Sequence, residues 1–192
     1  MAERNLRYED DPILRKKSKE VKELTPRTVE LIDDLIENVH AYNGVGLAAI
    51  QVGVLKRICV VTVEAPEPDY DEDGNELEIN PLIHNNGEDL IIINPTIIPR
   101  EGATQTDNEG CLSVPGKFGM VTRPNHITLK AFDRNLEPYE LEAEGLFARA
   151  ICHECDHMEG ILYIDKVEGE LIDLSMMEED EESDEEFEAT EE

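Results

Sequence analysis

The sequence contains no long apolar run and few basic residues, and each shortage excludes a class of function. The longest aliphatic stretch is a few residues around Ile91–Ile93, far short of the roughly 20 that a membrane-spanning helix requires. The N-terminal segment lacks the apolar core of a secretory signal, so we expect a cytoplasmic protein without membrane attachment. Only 17 Lys and Arg stand against 46 Asp and Glu, for a net charge of −29, which disfavours direct nucleic-acid binding.

Length and charge distribution predict one domain with two appendages. A chain of 192 residues with 40% hydrophobic content can bury one sizeable core, and we assign residues 1–175 to a single domain. Residues 64–89 are rich in Pro, Asn, Asp and Gly, so we predict a surface insertion with a turn at Asp73–Gly74. Residues 176–192 are strongly acidic and are predicted to form a disordered tail, explained better by solubility than by a basic partner.

Hydrophobic periodicity predicts an α+β fold. Thr25 and Pro26 form a helix start, and apolar residues at helical spacing extend this helix over about 26–42. Runs of β-branched residues predict strands over 57–63 and 90–94, the second closed by Pro95. Alternating apolar residues on both sides of a turn at 133–135 predict a hairpin with one buried face, at Ile127, Leu129, Ala131, Tyr139, Leu141 and Ala143.

A second helix, predicted over about 143–159, carries the motif HECDH at 153–157. Its two histidines, four residues apart, lie on nearly the same helix face and can share one metal ion. Glu154 lies close enough to transfer a proton to or from a water at that ion. Leu146 and Ala150 extend the histidine stripe, which predicts that the imidazoles point toward the core. We expect antiparallel sheets packed around this central helix; the alternative for the motif is a polar face with two fortuitously spaced histidines.

A metal site needs a third ligand, and the sequence offers three cysteine candidates. Without a secretory signal, the cysteines are better explained as thiols or metal ligands than as disulfide pairs. Cys152 lies about 100° and Cys155 about 200° around the helix from His153, so neither readily joins an ion held by both histidines. They are better explained as buried small residues than as a redox pair. Cys111 follows Gly110, which permits close backbone approach to a ligand; a buried structural cysteine is the alternative.

Three segments together resemble the signature motifs of peptide deformylases. They are GVGLAAIQVG at 44–53, EGCLSVP at 109–115 and HECDHMEG at 153–160. The resemblance covers most of residues 1–170, and the three motifs have the order and the separations found in the family. It implies a metal-dependent hydrolase that removes the formyl group from the N-terminal formylmethionine of nascent polypeptides and releases formate.

The same resemblance assigns roles to matching residues. The implied metal ligands are Cys111, His153 and His157. The implied catalytic groups are the Glu154 carboxyl as base and then acid, the Gln51 amide, and the Leu112 backbone N–H at the oxyanion. The positions that align the substrate through main-chain contacts are Val45, Gly46 and Gly110. An ion pair that supports the cysteine-bearing loop is implied for Glu109 and Arg123.

The resemblance also implies a cofactor and partners. One divalent metal ion is expected, with Fe²⁺ as the native ion, although two imidazoles and a thiolate also accept Zn²⁺, Ni²⁺ or Co²⁺. The expected partners are N-formylmethionyl nascent peptides. Some deformylases dock on the ribosome through a basic C-terminal helix, which the acidic residues 178–192 cannot provide. We therefore expect a monomer that associates with the ribosome transiently, if at all, and not through its tail.

Two other functions compete with formyl removal. A zinc metallopeptidase also uses HExxH, but Tyr163 stands where the extended form of that motif requires its last histidine. A non-catalytic metal-binding module would close its site with four ligands drawn from the two histidines and Cys111, Cys152 and Cys155. A catalytic site, in contrast, keeps one position open.

Overall fold

The computed structural model describes residues 4–71, 75, 77–100, 102 and 104–174. In this part of the chain two α-helices form, α1 at Pro26–Ala41 and α2 at Gly145–Met158. The strands are β1 Gly46–Ala48, β2 Ile58–Val61, β3 Leu90–Pro99, β4 Thr104–Cys111, β5 Val114–Pro124, β6 His126–Phe132, β7 Pro138–Glu144 and β8 Ile172–Asp173. Every pair of these strands is antiparallel, so the predicted α+β class with antiparallel sheets is confirmed.

The strands form two sheets. One has the order β1-β2-β3-β6-β7 and the other the order β4-β5-β8. In the hairpin of β6 and β7, Ile127 and Leu129 are completely buried, and Lys130, between the buried residues Leu129 and Ala131, is exposed. This is the alternation that the sequence predicted. At its turn, the Asp133 carboxylate accepts from the backbone N–H of the residues that follow. This hairpin extends the larger sheet beyond β3.

Helix α1 begins where the sequence predicted and ends one residue earlier. The Thr25 side chain accepts a hydrogen bond from the Thr28 backbone N–H at 3.3 Å, and Pro26 occupies the first turn. A cap of this kind typically contributes about 1 kcal/mol to helix stability. The apolar face of α1 is fully buried at Ile32 and Leu35 and packs against β1 and β2.

Strand β3 differs from its prediction. We expected it to stop at Pro95, but it continues to Pro99. The pairing with β6 shifts between Ile93 and Thr96, and Asn94 within this bulge has a φ of 51°. The bulge takes Pro95, which has no N–H to donate, out of the ladder, so pairing resumes beyond it.

The segment 64–89 follows β2 and contains no helix or ladder strand among its described residues. A backbone hydrogen bond from Glu144 N–H in β7 to the Leu82 carbonyl at 2.7 Å attaches it to the larger sheet, and one from Asn85 N–H to the Val63 carbonyl at 3.1 Å attaches it to the chain just after β2. The predicted turn at Asp73–Gly74 and the predicted tail at 176–192 lie outside the described residues. The division into domain, insertion and tail therefore stays a prediction.

Helix α2 lies close to its predicted span and packs against β1, β2, β5, β6 and β7. Phe147, Ala148 and Ile151 face the core and are almost fully buried. Just beyond the helix, Gly160 has a φ of 77°, and a Cβ there would lie 2.7 Å from the backbone of Arg15. Glycine is therefore required at the stop. No helix among the described residues is long and apolar enough to cross a membrane.

Candidate metal centre

The structure brings together the three residues that the sequence marks as metal ligands. His153 and His157 project from successive turns of α2, and Cys111 ends β4. One donor atom from each residue lies within 4.8 Å of the other two, and Cys111 Sγ is 3.3 Å from His157 Nε2. No other cluster of three potential ligands occurs in the described part of the chain.

The donor set fits a divalent transition-metal ion. Bonds of 2.0–2.3 Å to nitrogen and sulfur place ligand atoms of a tetrahedral ion roughly 3–4 Å apart. Cys111 Sγ and His157 Nε2 are 3.3 Å apart, within this range, and all three donor atoms lie within 4.8 Å of one another. Two imidazoles and one thiolate suit Zn²⁺ and Fe²⁺ far better than Mg²⁺ or Ca²⁺, which prefer oxygen.

Glu154 lies beside these ligands in a buried position. Its side chain is 4% exposed, and its Oε2 atom has no hydrogen-bond partner among the described residues. Burial raises the pKa of this carboxyl group to about 7. A Cβ added at Gly46 would lie 2.6 Å from Glu154 Oε1, so only glycine at this position of β1 permits the approach.

Gln51 connects the edge strand β1 to the cysteine. It lies in a short 3₁₀-helix at Ala49–Val52, and its Oε1 accepts from the Ala48 backbone N–H at 2.7 Å. Its Nε2 donates to Ser113 Oγ at 3.1 Å and to Cys111 Sγ at 3.6 Å. The acceptor end of the amide is thus anchored, and its donor end is directed at the ligand cluster.

A cavity of about 540 Å³ opens onto this cluster. Its wall includes the residues predicted to contact substrate or oxyanion, which are Val45, Gly46, Gln51, Gly110 and Leu112. Leu146 also lines the cavity and is 52% exposed. The stripe that predicted inward-pointing imidazoles therefore leaves the core at Leu146, in the first turn of α2, whereas the imidazoles themselves are buried, with the His153 side chain 11% exposed and His157 0%.

Behind the ligands, Glu109 accepts hydrogen bonds from three residues. Arg123 donates Nε to Oε1 and Nη2 to Oε2, each at 2.8 Å. His153 Nδ1 lies 3.1 Å from Oε2, and Arg149 Nη1 donates to Oε1 at 2.7 Å. Burial would raise the pKa of Glu109, but the hydrogen bonds from Arg123 and His153 hold it well below its usual range. Glu109 is therefore a charged, fully occupied acceptor.

The two histidines differ in their electrostatic surroundings. Burial would lower the pKa of His153, whereas hydrogen bonds to Cys111 and Glu109 raise it to about 10. Burial and the neighbouring His153 both lower the pKa of His157. The His153 ring is thus hydrogen-bonded to a carboxylate, whereas Nδ1 of the fully buried His157 has no hydrogen-bond partner among the described residues.

Comparisons with known proteins agree with this arrangement. The family model for polypeptide deformylase matches residues 4–171. The chain belongs to the polypeptide deformylase family. It is 48% identical over 182 residues to a peptide deformylase of Lachnoclostridium phytofermentans, covering 95% of this chain and 99% of that relative. A peptide deformylase of Agathobacter rectalis is 47% identical, over 91% of this chain and 96% of its own length.

Solved deformylase structures share the fold. The crystal structure of peptide deformylase from Ehrlichia chaffeensis matches with a TM-score of 0.74 and 34% identity, covering 87% of this chain and 89% of that one. A deformylase from Synechococcus elongatus in complex with actinonin matches with a TM-score of 0.72 and 33% identity, covering 86% and 79%. Membership in this family of metallohydrolases disfavours the two rival functions, a zinc metallopeptidase and a non-catalytic metal-binding module.

Sequence reasoning missed several residues that support the deformylase site. The sequence does contain a signal for Arg149, because this residue precedes His153 by four positions and so lies on the same helix face. Ser113 and Asp156 gave no periodic signal, since their partners Gln51 and Arg123 come from other elements.

Tyr163 was noted only for the histidine that it replaces. In the structure its ring stacks beside His153 with centroids 6.1 Å apart, and its hydroxyl donates to the Lys117 carbonyl at 2.7 Å. Such a contact depends on how the chain returns after α2, which no local pattern encodes.

Proposed function

We propose that this chain hydrolyses the formyl amide of N-formylmethionine at the start of nascent polypeptides, releasing formate and a free amino terminus. The observation that carries the proposal is a buried carboxyl group, Glu154, beside two imidazoles and a thiol in a chain of the deformylase family. This combination provides a proton carrier and a Lewis-acid site at the end of one cavity.

We assign Cys111, His153 and His157 as ligands of one divalent ion. Their chemistry accepts Fe²⁺, Zn²⁺, Ni²⁺ or Co²⁺, and we propose Fe²⁺ as the native ion on the strength of the family resemblance. When bound, the ion supplies Lewis acidity that makes a water molecule nucleophilic near neutral pH and polarises the formyl carbonyl. Three protein ligands would hold such an ion and would leave room for water or substrate beside it, as catalytic sites do.

Proton transfer is assigned to Glu154. Burial and the close contact with Gly46 hold its carboxyl group in one place beside the ligand atoms. The group takes a proton from the attacking water and returns it to the leaving nitrogen, so one residue serves as base and then as acid. A positioned group of this kind typically contributes about 10²–10⁴ in rate.

Negative charge develops on the formyl oxygen during attack, and we assign its stabilisation to Gln51 Nε2 and the Leu112 backbone N–H. The anchoring of Gln51 Oε1 by Ala48 supports this role, because the donor end of the amide is then held in advance beside Cys111. Preorganised donors of this type are each worth about 10²–10³ in rate.

Substrate alignment is assigned to the backbone at Val45, Gly46 and Gly110. Strand β1 is at one edge of the larger sheet and β4 at one edge of the smaller sheet, and both contribute to the cavity wall. An extended peptide that hydrogen-bonds to such edges through its main chain tolerates varied side chains after the methionine. Glu109 and Arg123 are assigned to support of the cysteine-bearing strand and of His153.

The proposal extends to the architecture and partners of the whole chain. We propose that the two sheets pack around α2 as the central element of one domain over 1–175, with 64–89 as a surface insertion and an acidic segment at 176–192. The substrates are nascent chains, which the protein meets as a monomer through transient ribosome association. With a net charge of −29, neither the tail nor direct nucleic-acid binding is proposed to mediate that association.

The proposed function is tested with formyl-Met-Ala-Ser as substrate and acetyl-Met-Ala-Ser as control. With metal-loaded protein we expect formate and free Met-Ala-Ser in equal amounts, and much slower release of acetate. Formate is measured enzymatically and the peptides by mass spectrometry. Cleavage between residues without formate would indicate a metallopeptidase, and no turnover by fully loaded protein would indicate a non-catalytic site; either result contradicts the proposal.

A further inference from the structure

Arg149 is a buried cation on the same face of α2 as His153. Its side chain is 4% exposed and donates to three acceptors outside the helix. These are Glu109 Oε1 at 2.7 Å, the Val121 carbonyl at 3.0 Å and the Gln105 carbonyl at 3.1 Å. Since Gln105 and Glu109 lie on β4, this guanidinium joins the metal-binding helix to the strand that ends in the cysteine.

The Glu109 carboxylate is shared between the two arginines and His153. Of its four hydrogen bonds, two come from Arg123, one from Arg149 and one from the imidazole. Arg123 Nη2 can only donate and lies 2.8 Å from the same Oε2 atom, so this oxygen is an acceptor and His153 donates to it from Nδ1. The other ring nitrogen, Nε2, is then the atom available to the ligand cluster.

Arg123 has a second carboxylate partner besides Glu109. It also donates Nη1 to Asp156, which lies on α2 three residues after His153. Arg149, by contrast, has Glu109 as its single carboxylate partner within the described residues. The positive charge of Arg123 is thus shared between Glu109 and Asp156, whereas that of Arg149 faces Glu109. Arg149 does so from α2, the helix that carries His153.

We propose that Arg149 is a positioning residue that acts through Glu109 to hold the His153 ring with Nδ1–H inward and Nε2 toward Cys111 and His157 before an ion binds. The inference rests on the proposed metal site. Hydrogen-bonded partners of ligating histidines typically change metal affinity by about 10–100-fold when removed. Arg149 is not hydrogen-bonded to His153 itself. It donates to Glu109, which in turn accepts from His153.

The test is a double-mutant cycle on Zn²⁺ affinity, measured by chelator competition with the full chain. Arg149→Met keeps the length of the side chain and removes the donors, and we expect it to weaken Zn²⁺ binding by about tenfold or more. In a Glu109→Gln background the same substitution should have little further effect, because the path to His153 is already broken. Arg149→Lys, which restores the charge and a donor, should recover part of the affinity.

A purely structural role makes a different prediction. Arg149 also binds two backbone carbonyls, so its loss lowers the free energy of unfolding whatever it does for the metal. If affinity per folded molecule is unchanged in Arg149→Met, or falls equally with and without Glu109, the inference is overturned. The ¹⁵N chemical shifts of the His153 ring in the metal-free proteins provide a second readout. We expect mixed tautomers in Arg149→Met and a single tautomer in wild type, and identical shifts in the two proteins would overturn the inference.

Two further variants separate this inference from the metal site itself. Arg134→Met removes an exposed arginine that pairs with Asp33 at 2.8 Å and should leave Zn²⁺ affinity unchanged. Cys111→Ser should weaken Zn²⁺ binding more than any Arg149 variant. If Cys111→Ser has no effect, the proposed site is wrong; if it weakens binding and Arg149→Met does not, only the positioning role is wrong.

Discussion

Two faces of α2 each carry a pair of potential metal ligands, but their surroundings differ. One face carries His153, which lines the larger cavity, and the fully buried His157. The other presents Cys152 and Cys155 to a second cavity of about 300 Å³, also lined by Arg57 and Lys166. Only the first face gathers three ligand atoms, because Cys111 arrives there from β4. Helical spacing supplies two ligands, but strand placement decides which face becomes a metal centre.

Burial disfavours the thiolate form of the two thiols on the second face. Burial raises the pKa of Cys152 to about 11 and moves that of Cys155 higher still. A metal ligand must be a thiolate. Both are free thiols, and Cys152 is buried as predicted, whereas Cys155 is only partly buried.

The largest effect is expected when the third proposed ligand, Cys111, is removed from the first face. Cys111→Ser replaces a soft thiolate by a weak hydroxyl donor, and we expect bound metal to be lost, with Zn²⁺ affinity falling by more than the ~100-fold upper range for supporting residues. Cys152→Ser is the matched control and should keep the wild-type metal content. Metal analysis after equal dialysis measures both. Equal loss in the two variants would show that the faces are not distinct.

A smaller effect is expected when a side chain is added at Gly46 of β1, beside Glu154. In Gly46→Ala the new Cβ displaces the carboxyl group, and a displacement of about 1 Å can reduce the rate by roughly 10². Gly119→Ala is the control, because its Cβ would be equally close, 2.6 Å, to Val167 Cγ2 instead. We expect Gly119→Ala to lower stability but to retain the formate-release rate per folded, metal-loaded molecule. Similar rates for both variants would contradict the role of Gly46.

Local patterns predicted much of the molecule but not its connections. The caps and periodicity of α1 and the alternation in β6 and β7 are local, so both were predictable. The bulge at Asn94 was not, because that side chain is bound to the backbone of Val21 far away in the sequence.

The same distinction applies to the site. The two histidines follow from one helix face, whereas Cys111 entered through family resemblance. The approach of Arg149 to Glu109 depends on how β4 lies against α2, a tertiary feature that periodicity does not contain. Arg149 shared a detectable face with His153, but its function became visible only with the strand in place.

The central claim is that Glu154 performs proton transfer at a metal centre built on one face of α2. The most direct measurement is formate release from formyl-Met-Ala-Ser by wild type and Glu154→Gln at equal, measured metal content. We predict that the rate falls by about 10²–10⁴ while Zn²⁺ affinity is retained. Glu159→Gln, just beyond the same helix at the second cavity, should keep the wild-type rate. A Glu154→Gln protein that releases formate as fast as wild type would contradict the account.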